Sequence, residues 1–424
     1  MKKVMLKSSL SLAVMMASTQ VFASGFAINE QSISGMGTGF AGRSSIADDA
    51  STVFGNPAGM SRLKREQVTG GIALLDAHTD ISDVSASHPG SSKGDMVPFI
   101  GVPMGYYVKP IDDHWTFGLG MYAPFGLVTD YESGFAGRYF GSKSDVKVMT
   151  LQPTVSYAFN DQVSIGFGPT INRITGALES ALSVTPAAAN IPDGKVKIKG
   201  DDVALGYNVG ILVQATNSTR VGLTYHSKVK YKLEGDTKVN YGVLGLIGQK
   251  ASQKYDASLS LETPESVDFS VTHALDDQWT LYAGSTWTRW SRLKEITVEN
   301  SGVPGALAGQ FGEITEEQNW HDTWAHAIGA SYQLNKQWVL RTGLSFDQAP
   351  TNNTNRSPRI PTGDRKILSI GAGWSPTDDL TIDVAYSYLR EESVRVDDNN
   401  GRQSYKAKYE NSANGFGVGA TYRF

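Results

Sequence analysis

The chain of 424 residues contains no cysteine. No disulfide framework and no thiolate metal site can be built from it. Long apolar runs are missing as well: charged residues interrupt every hydrophobic stretch after residue 23, and the mean hydropathy is −0.25. A helix needs about 20 consecutive apolar residues to cross a bilayer, so a helical membrane protein is excluded. Nor is there strong charge of one sign. Lys and Arg number 38 against 42 acidic residues, for a formal net charge of −4, and no segment clusters the basic ones. A nucleic-acid partner, which calls for a basic patch, is not expected. Gly-x-Ser-x-Gly, His-Glu-x-x-His and the P-loop are absent, leaving no mark of a nucleophile, a zinc site or a nucleotide. His226, His273, His321 and His326 read as isolated strand positions, and the last two, five apart, fall on opposite faces. The expectation is a protein without enzymatic activity, cofactor or metal.

Glycine is abundant (45), as are tyrosine (18), phenylalanine (16) and tryptophan (8). The first residues read as a secretory signal: Lys2, Lys3 and Lys7, an apolar core from Leu10 to Ala17, and the cleavage-site pattern Val21-Phe22-Ala23. Residues 1–23 are therefore expected to be removed. No linker or shift in composition divides the rest, which fits one continuous barrel better than several soluble domains.

Period-2 alternation supplies the main structural signal. Phe416, Val418, Ala420, Tyr422 and Phe424 alternate with Gly415, Gly417, Gly419, Thr421 and Arg423. Similar alternation recurs from Leu380 to Tyr388, from Trp338 to Asp347 and from Arg220 to Tyr231. Charges on the second face would be costly in a tight core but are tolerated in a wet lumen. Short turns recur too: Asp112-Asp113-His114-Trp115, Asp276-Asp277-Gln278-Trp279 and Asn335-Lys336-Gln337-Trp338, with looser forms at Asn160, Asn217 and Thr377. Asn and Asp suit such turns, and the Trp that follows suits an interfacial girdle. Seven longer polar segments lie between them, at about 77–97, 127–144, 179–194, 235–253, 291–318, 349–362 and 391–404. Six turns and seven loops join fourteen strands. The predicted fold is all-β: a 14-stranded antiparallel transmembrane β-barrel over residues 65–424, in the outer membrane of a Gram-negative bacterium. A terminal Phe two residues after an aromatic resembles the signature read by the barrel-assembly machinery.

Residues 24–64 do not alternate, yet Phe26, Ile28, Ile33, Met36, Phe40, Ile46, Val53 and Phe54 argue against a disordered tail. Gly25-Phe26-Ala27-Ile28-Asn29-Glu30-Gln31-Ser32-Ile33-Ser34-Gly35-Met36-Gly37, then Ala47-Asp48-Asp49-Ala50, then Asn56-Pro57-Ala58, resemble in order the N-terminal hatch of the FadL family of outer-membrane transporters. The likeness extends to chain length, strand count and the terminal Phe. It implies a barrel plugged by residues 24–64, a hydrophobic substrate bound inside, and sideways exit through an opening associated with an inward kink of the third strand.

Pro124 and Gly126, flanking Phe125, are the candidates for that kink, because proline cannot donate a ladder hydrogen bond. The other reading ends strand three at Tyr122 and begins a loop at Pro124. Candidate ligand contacts are Phe26, Arg138, Tyr139 and Arg173, the two arginines as partners for a fatty-acid carboxylate. Gly134 to Phe140 also looks like the corresponding loop of family members that take up aromatic hydrocarbons, leaving the substrate open between long-chain fatty acids and monoaromatics. A general porin is the third reading. Outer-membrane lipid and lipopolysaccharide are the expected surroundings, and a monomer the expected state.

Overall fold

A computed structural model describes residues 25–183, 193–241 and 252–424. The expected signal segment, Ser24, and parts of the loops at 179–194 and 235–253 lie outside the described residues. Fourteen strands close into a ring: β1 (Gln67–Ala86), β2 (Ile100–Pro110), β3 (Trp115–Asp130), β4 (Lys143–Ala158), β5 (Val163–Leu182), β6 (Gly194–Gln214), β7 (Thr219–His226), β10 (Ser266–Ala274), β11 (Trp279–Thr288), β14 (Thr323–Gln333), β15 (Trp338–Asp347), β16 (Arg365–Trp374), β17 (Leu380–Glu391) and β19 (Ser404–Arg423). Each pairs antiparallel with its neighbours, and β19 returns to β1 from Gln67–Arg423 to Ala86–Tyr405. Closure removes the free edges that a bilayer cannot solvate.

Every short turn joins two strands at one end of the ring. In the tightest turns the first Asp or Asn caps the two N–H groups that follow. Asp112 Oδ1 accepts from His114 N (2.8 Å) and Trp115 N (2.7 Å), Asp276 Oδ1 from Gln278 N and Trp279 N, and Asn335 Oδ1 from Gln337 N and Trp338 N. Those N–H groups hold the Asp112 and Asp276 carboxyls below the usual range. Trp115, Trp279, Trp338 and Trp374 stand exposed beside the turns as a girdle. Farther along, outward positions carry apolar side chains such as Leu205, Ile328, Leu368 and Phe416.

At the opposite end the strands run past the expected loop boundaries. β1 continues to Ala86 and β3 to Asp130, so loops expected from 77 and 127 begin later. Paired ribbons rising into water satisfy their own backbone, and polar side chains do not end them. Five further strands sit there: β8 (Val229–Asn240), β9 (Ser252–Thr263), β12 (Glu295–Ser301), β13 (Glu313–Glu317) and β18 (Val394–Asn399). β8 pairs with the upper half of β6 and then with β9, β9 with β12, and β12 with β13, while β18 pairs with β19. His321, read as a strand position, lies in the connection before β14.

Residues 25–66 touch inward-pointing wall positions on many sides. Helix Ile33–Gly37, capped by Ser32 Oγ on Gly35 N, packs against β15–β17, β19 and β1. Ser44 Oγ donates to Gly222 O (3.1 Å) on β7 and lies 2.8 Å from Ser270 Oγ on β10. Gln152 on β4 donates from Nε2 to Val53 O (2.9 Å).

Candidate functional site

The wall loses its pairing at one place. β1 pairs with β2 as far as Leu75–Ile100, but β2 pairs with β3 only from Pro110–Thr116 to Gly105–Met121. Above Met121, β3 has β4 on one side and, among the described residues, no barrel strand on the other. Its register on β4 jumps between Tyr122–Thr150 and Phe125–Val148, so Ala123 and Pro124 together face Met149. This is a bulge, which bends a strand. Up to Met121 burial alternates; from Ala123 through Thr129 no residue of β3 is exposed. β3 thus continues through Pro124 rather than ending at Tyr122, and leans inward.

The N-terminal segment takes the freed edge. Ile28 N donates to Pro124 O (2.9 Å) and Gly126 N to Phe26 O (2.8 Å), giving an antiparallel bridge between Ala27 and Phe125. Gln31 Nε2 donates to Ala123 O (2.6 Å), and at the outer end Asp130 N donates to Met96 O (2.7 Å). Proline fits here because its missing N–H falls where the ladder is already broken.

This bridge carries Phe26 into an aromatic cluster. Its ring centroid lies 5.0 Å from Trp290, 5.6 Å from Phe125 and 6.1 Å from Trp320. Gly25 has φ +66°, and a Cβ there would strike the Trp320 and Trp290 rings, so the turn into the cluster requires glycine. Adjoining the cluster is an apolar chamber with about 80 Å³ of free volume, walled by Leu127, Val146, Ile174, Leu233, Leu261 and Ile360. Its charged lining residues are Lys199 and the pair Arg359 and Glu316. Arg359 Nε is 3.1 Å from Glu316 Oε2, and Nη1 donates to Lys143 O (3.0 Å), Ser144 Oγ (3.2 Å) and Glu179 O (3.3 Å). On the extracellular strand β18, burial and the Glu316 carboxylate hold Asp398 up at about 6.

Of the residues singled out from the sequence, Phe26, Phe125, Pro124 and Gly126 come together here. Asn56, Pro57 and Ala58 lie elsewhere, as a wedge against β4–β6. Asn56 Oδ1 caps Ala58 N (3.0 Å), its Nδ2 donates to Ser44 O (2.7 Å) and Ile211 O (3.0 Å), and Ser164 Oγ donates to Ala58 O (2.9 Å). Arg138 and Tyr139 belong to neither place. Both hold Asp193, at 2.7 and 2.6 Å, which staples the loop after β3, and Arg138 Nη1 donates to Pro89 O (3.1 Å) and Phe135 O (3.0 Å). Arg173 shares the outward parity of Ile165, Phe167 and Pro169, with its guanidinium 3.8 Å from Asp201 on β6. Pleating turns it away from the chamber, whose wall at this height is Ile174. Sequence reasoning missed Trp290, Trp320 and Arg359. The two tryptophans flank the segment 291–318; large apolar residues at the margins of a polar loop were the available signal. For Arg359 there was none.

The model of the family described as "Outer membrane protein transport protein (OMPP1/FadL/TodX)" matches residues 14–424. A long-chain fatty acid transport protein of Escherichia coli O6:H1 is 30% identical over 452 residues, covering 100% of this chain and 99% of the relative. Outer membrane protein P1 of Haemophilus influenzae is 29% identical, covering 92% and 90%. Among solved structures, a Pseudomonas aeruginosa FadL homologue superposes with a TM-score of 0.82 at 25% identity, covering 95% of this chain and 100% of that one. The Pseudomonas putida toluene transporter TodX shares the fold, with a TM-score of 0.67 at 20% identity, covering 88% and 94%.

Proposed function

The chain belongs to the OMPP1/FadL/TodX family of outer-membrane transport proteins, and from that premise we propose that it passes long-chain fatty acids from its chamber sideways through the wall between β2 and β3. It is an outer-membrane channel for hydrophobic small molecules. The observation that carries the finer reading is the coincidence of three features: an apolar chamber, a wall strand that has lost its pairing with β2, and Phe26 bridging the two. Each methylene of an acyl chain exposed to water costs about 0.8 kcal/mol. A route from chamber to membrane avoids that cost, whereas a route through the wet lumen does not.

Residues 24–64 serve as the hatch in this reading, with Asn56-Pro57-Ala58 as its anchor. Phe26, Pro124, Phe125 and Gly126 form the gate. Arg359 receives the carboxylate in exchange for Glu316, at the polar end of an otherwise apolar site. No catalytic role is proposed. The protein works as a monomer in a lipopolysaccharide-bearing membrane, delivered there by assembly machinery that reads Phe424. A second reading, monoaromatic hydrocarbons, is favoured by the cluster of Phe26, Trp290 and Trp320 beside the chamber.

Uptake of a labelled long-chain fatty acid and of labelled toluene, in cells without their own channel, separates the two. Leu261→Trp, which fills the chamber, is expected to cut fatty-acid uptake about tenfold with the barrel still heat-modifiable. Arg359→Gln should weaken fatty-acid uptake and spare toluene. Toluene uptake without fatty-acid uptake would replace the first reading with the second.

A further inference from the structure

Across the ring from β3, the lipid-facing side of the wall carries two adjoining hollows of about 1170 and 600 Å³. Both are lined by Val271, Ala283, Ile328, Leu344 and Leu368. The registers set these residues side by side: Val271 opposite Ala283, then Ile328, Leu344, Leu368 and finally Tyr388. Ala283 offers only a methyl between larger neighbours, which deepens the floor. On the inner side, Gly343 lies so close to the N-terminal segment that a Cβ would strike Thr38 O.

The next outward-facing row toward the extracellular end is of another kind. His326 stands opposite Phe346, Phe346 opposite Lys366, and Lys366 opposite Arg390. His326 Nδ1 is 2.8 Å from Ser285 Oγ. Like charges directly across a strand pair are destabilising, and both cations are exposed. Lys366 has Glu392 at 3.6 Å on its outer side. Glu410, also farther out, is ion-paired with Lys408 and attracts Arg390 more weakly. Toward the membrane the two cations meet only the apolar rows.

We propose that these hollows bind a phosphorylated glycolipid of the outer leaflet, its acyl chains in the apolar rows and its phosphate between Lys366 and Arg390. The vertical order of the site, cations at the extracellular margin and apolar hollows beneath, is the order of such an amphiphile in its leaflet. A phosphate relieves the like-charge pair with charge-assisted hydrogen bonds from both partners. Packing of a second copy of this chain about a two-fold axis would stack that pair against itself.

Native mass spectrometry of the detergent-solubilised full chain tests this, with bisphosphorylated diglucosamine lipid (lipid A) and its dephosphorylated form as probes. The wild type is expected to hold the phosphorylated probe about tenfold more tightly than either Lys366→Gln with Arg390→Gln or the groove-filling Ile328→Trp. The dephosphorylated probe should bind the wild type no better than the phosphorylated probe binds the double variant. All variants should remain heat-modifiable and transport-competent, since none of these residues meets the chamber. Equal binding by wild type and both variants would overturn the proposal, as would indifference to the phosphates. A wild-type dimer abolished by Ile328→Trp would overturn it in favour of a protein interface.

Discussion

Asp398 lies on β18, outside the membrane, with burial and Glu316 raising its pKa to about 6 while Arg359 pulls the other way. In the opened ribbon the carboxyl returns to the ordinary aspartate range, near 4. Between those values the closed form binds a proton that the open form has released, so closure weakens as pH rises through the window. Amide exchange along β18 and the facing part of β19, corrected for intrinsic rates, should show stronger protection at pH 5 than at pH 7.5. Asp398→Asn should remove that difference while keeping the protection seen at pH 5; unchanged pH dependence in the variant would exclude Asp398 as its source. The same scale shows where sequence reading fails. Arg138, Arg173 and Arg359 look alike in the sequence. Strand parity sends Arg173 outward, Asp193 occupies Arg138, and only the inward fold of the 348–364 connection places Arg359 at the chamber.

Elements were legible where one local rule governs them. Alternation and Asx-capped turns specify strand number and direction without reference to distant residues, and the six turns and fourteen barrel strands follow. The β3 bulge is a different case. Pro124 is compatible with a strand's end or with its interruption, and the partner that decides between them is a segment nearly a hundred residues earlier in the chain. Ala27 and Phe125 form the bridge, and the absence of native cysteine leaves a clean background for trapping it. Ala27→Cys combined with Phe125→Cys should cross-link when oxidised. If release of Phe26 from β3 is part of transport, fatty-acid uptake should fall to about a tenth in the oxidised form and recover on reduction. Uptake by a fully cross-linked barrel would show that the substrate leaves without this bridge opening.

For the molecule as a whole, the abundance of glycine acquires a physical meaning that composition alone could not supply. Inward-facing glycines on several strands lie where the N-terminal segment comes closest. A Cβ would strike Met60 at Gly118, Pro57 at Gly166, Asn56 at Gly210, Ser44 at Gly222 and Thr38 at Gly343. The wall is shaped to this insert as closely as a protein core is to itself, and such sites resist added volume at about 1–3 kcal/mol. The segment and the wall are therefore expected to seal together. In a planar bilayer the full chain should show little ion conductance, and a chain lacking residues 24–60 should conduct as an open pore. Gly210→Val should fall between them, because its side chain must push Asn56 off Ile211 O and Ser44 O while the rest of the segment keeps its contacts. A general porin would conduct equally in all three forms. A variant as tight as the full chain would mean that the anchor can shift without breaking the seal, and would move the barrier from Asn56-Pro57-Ala58 to the polar contacts that Ser44 and Ser45 make with β7 and β10.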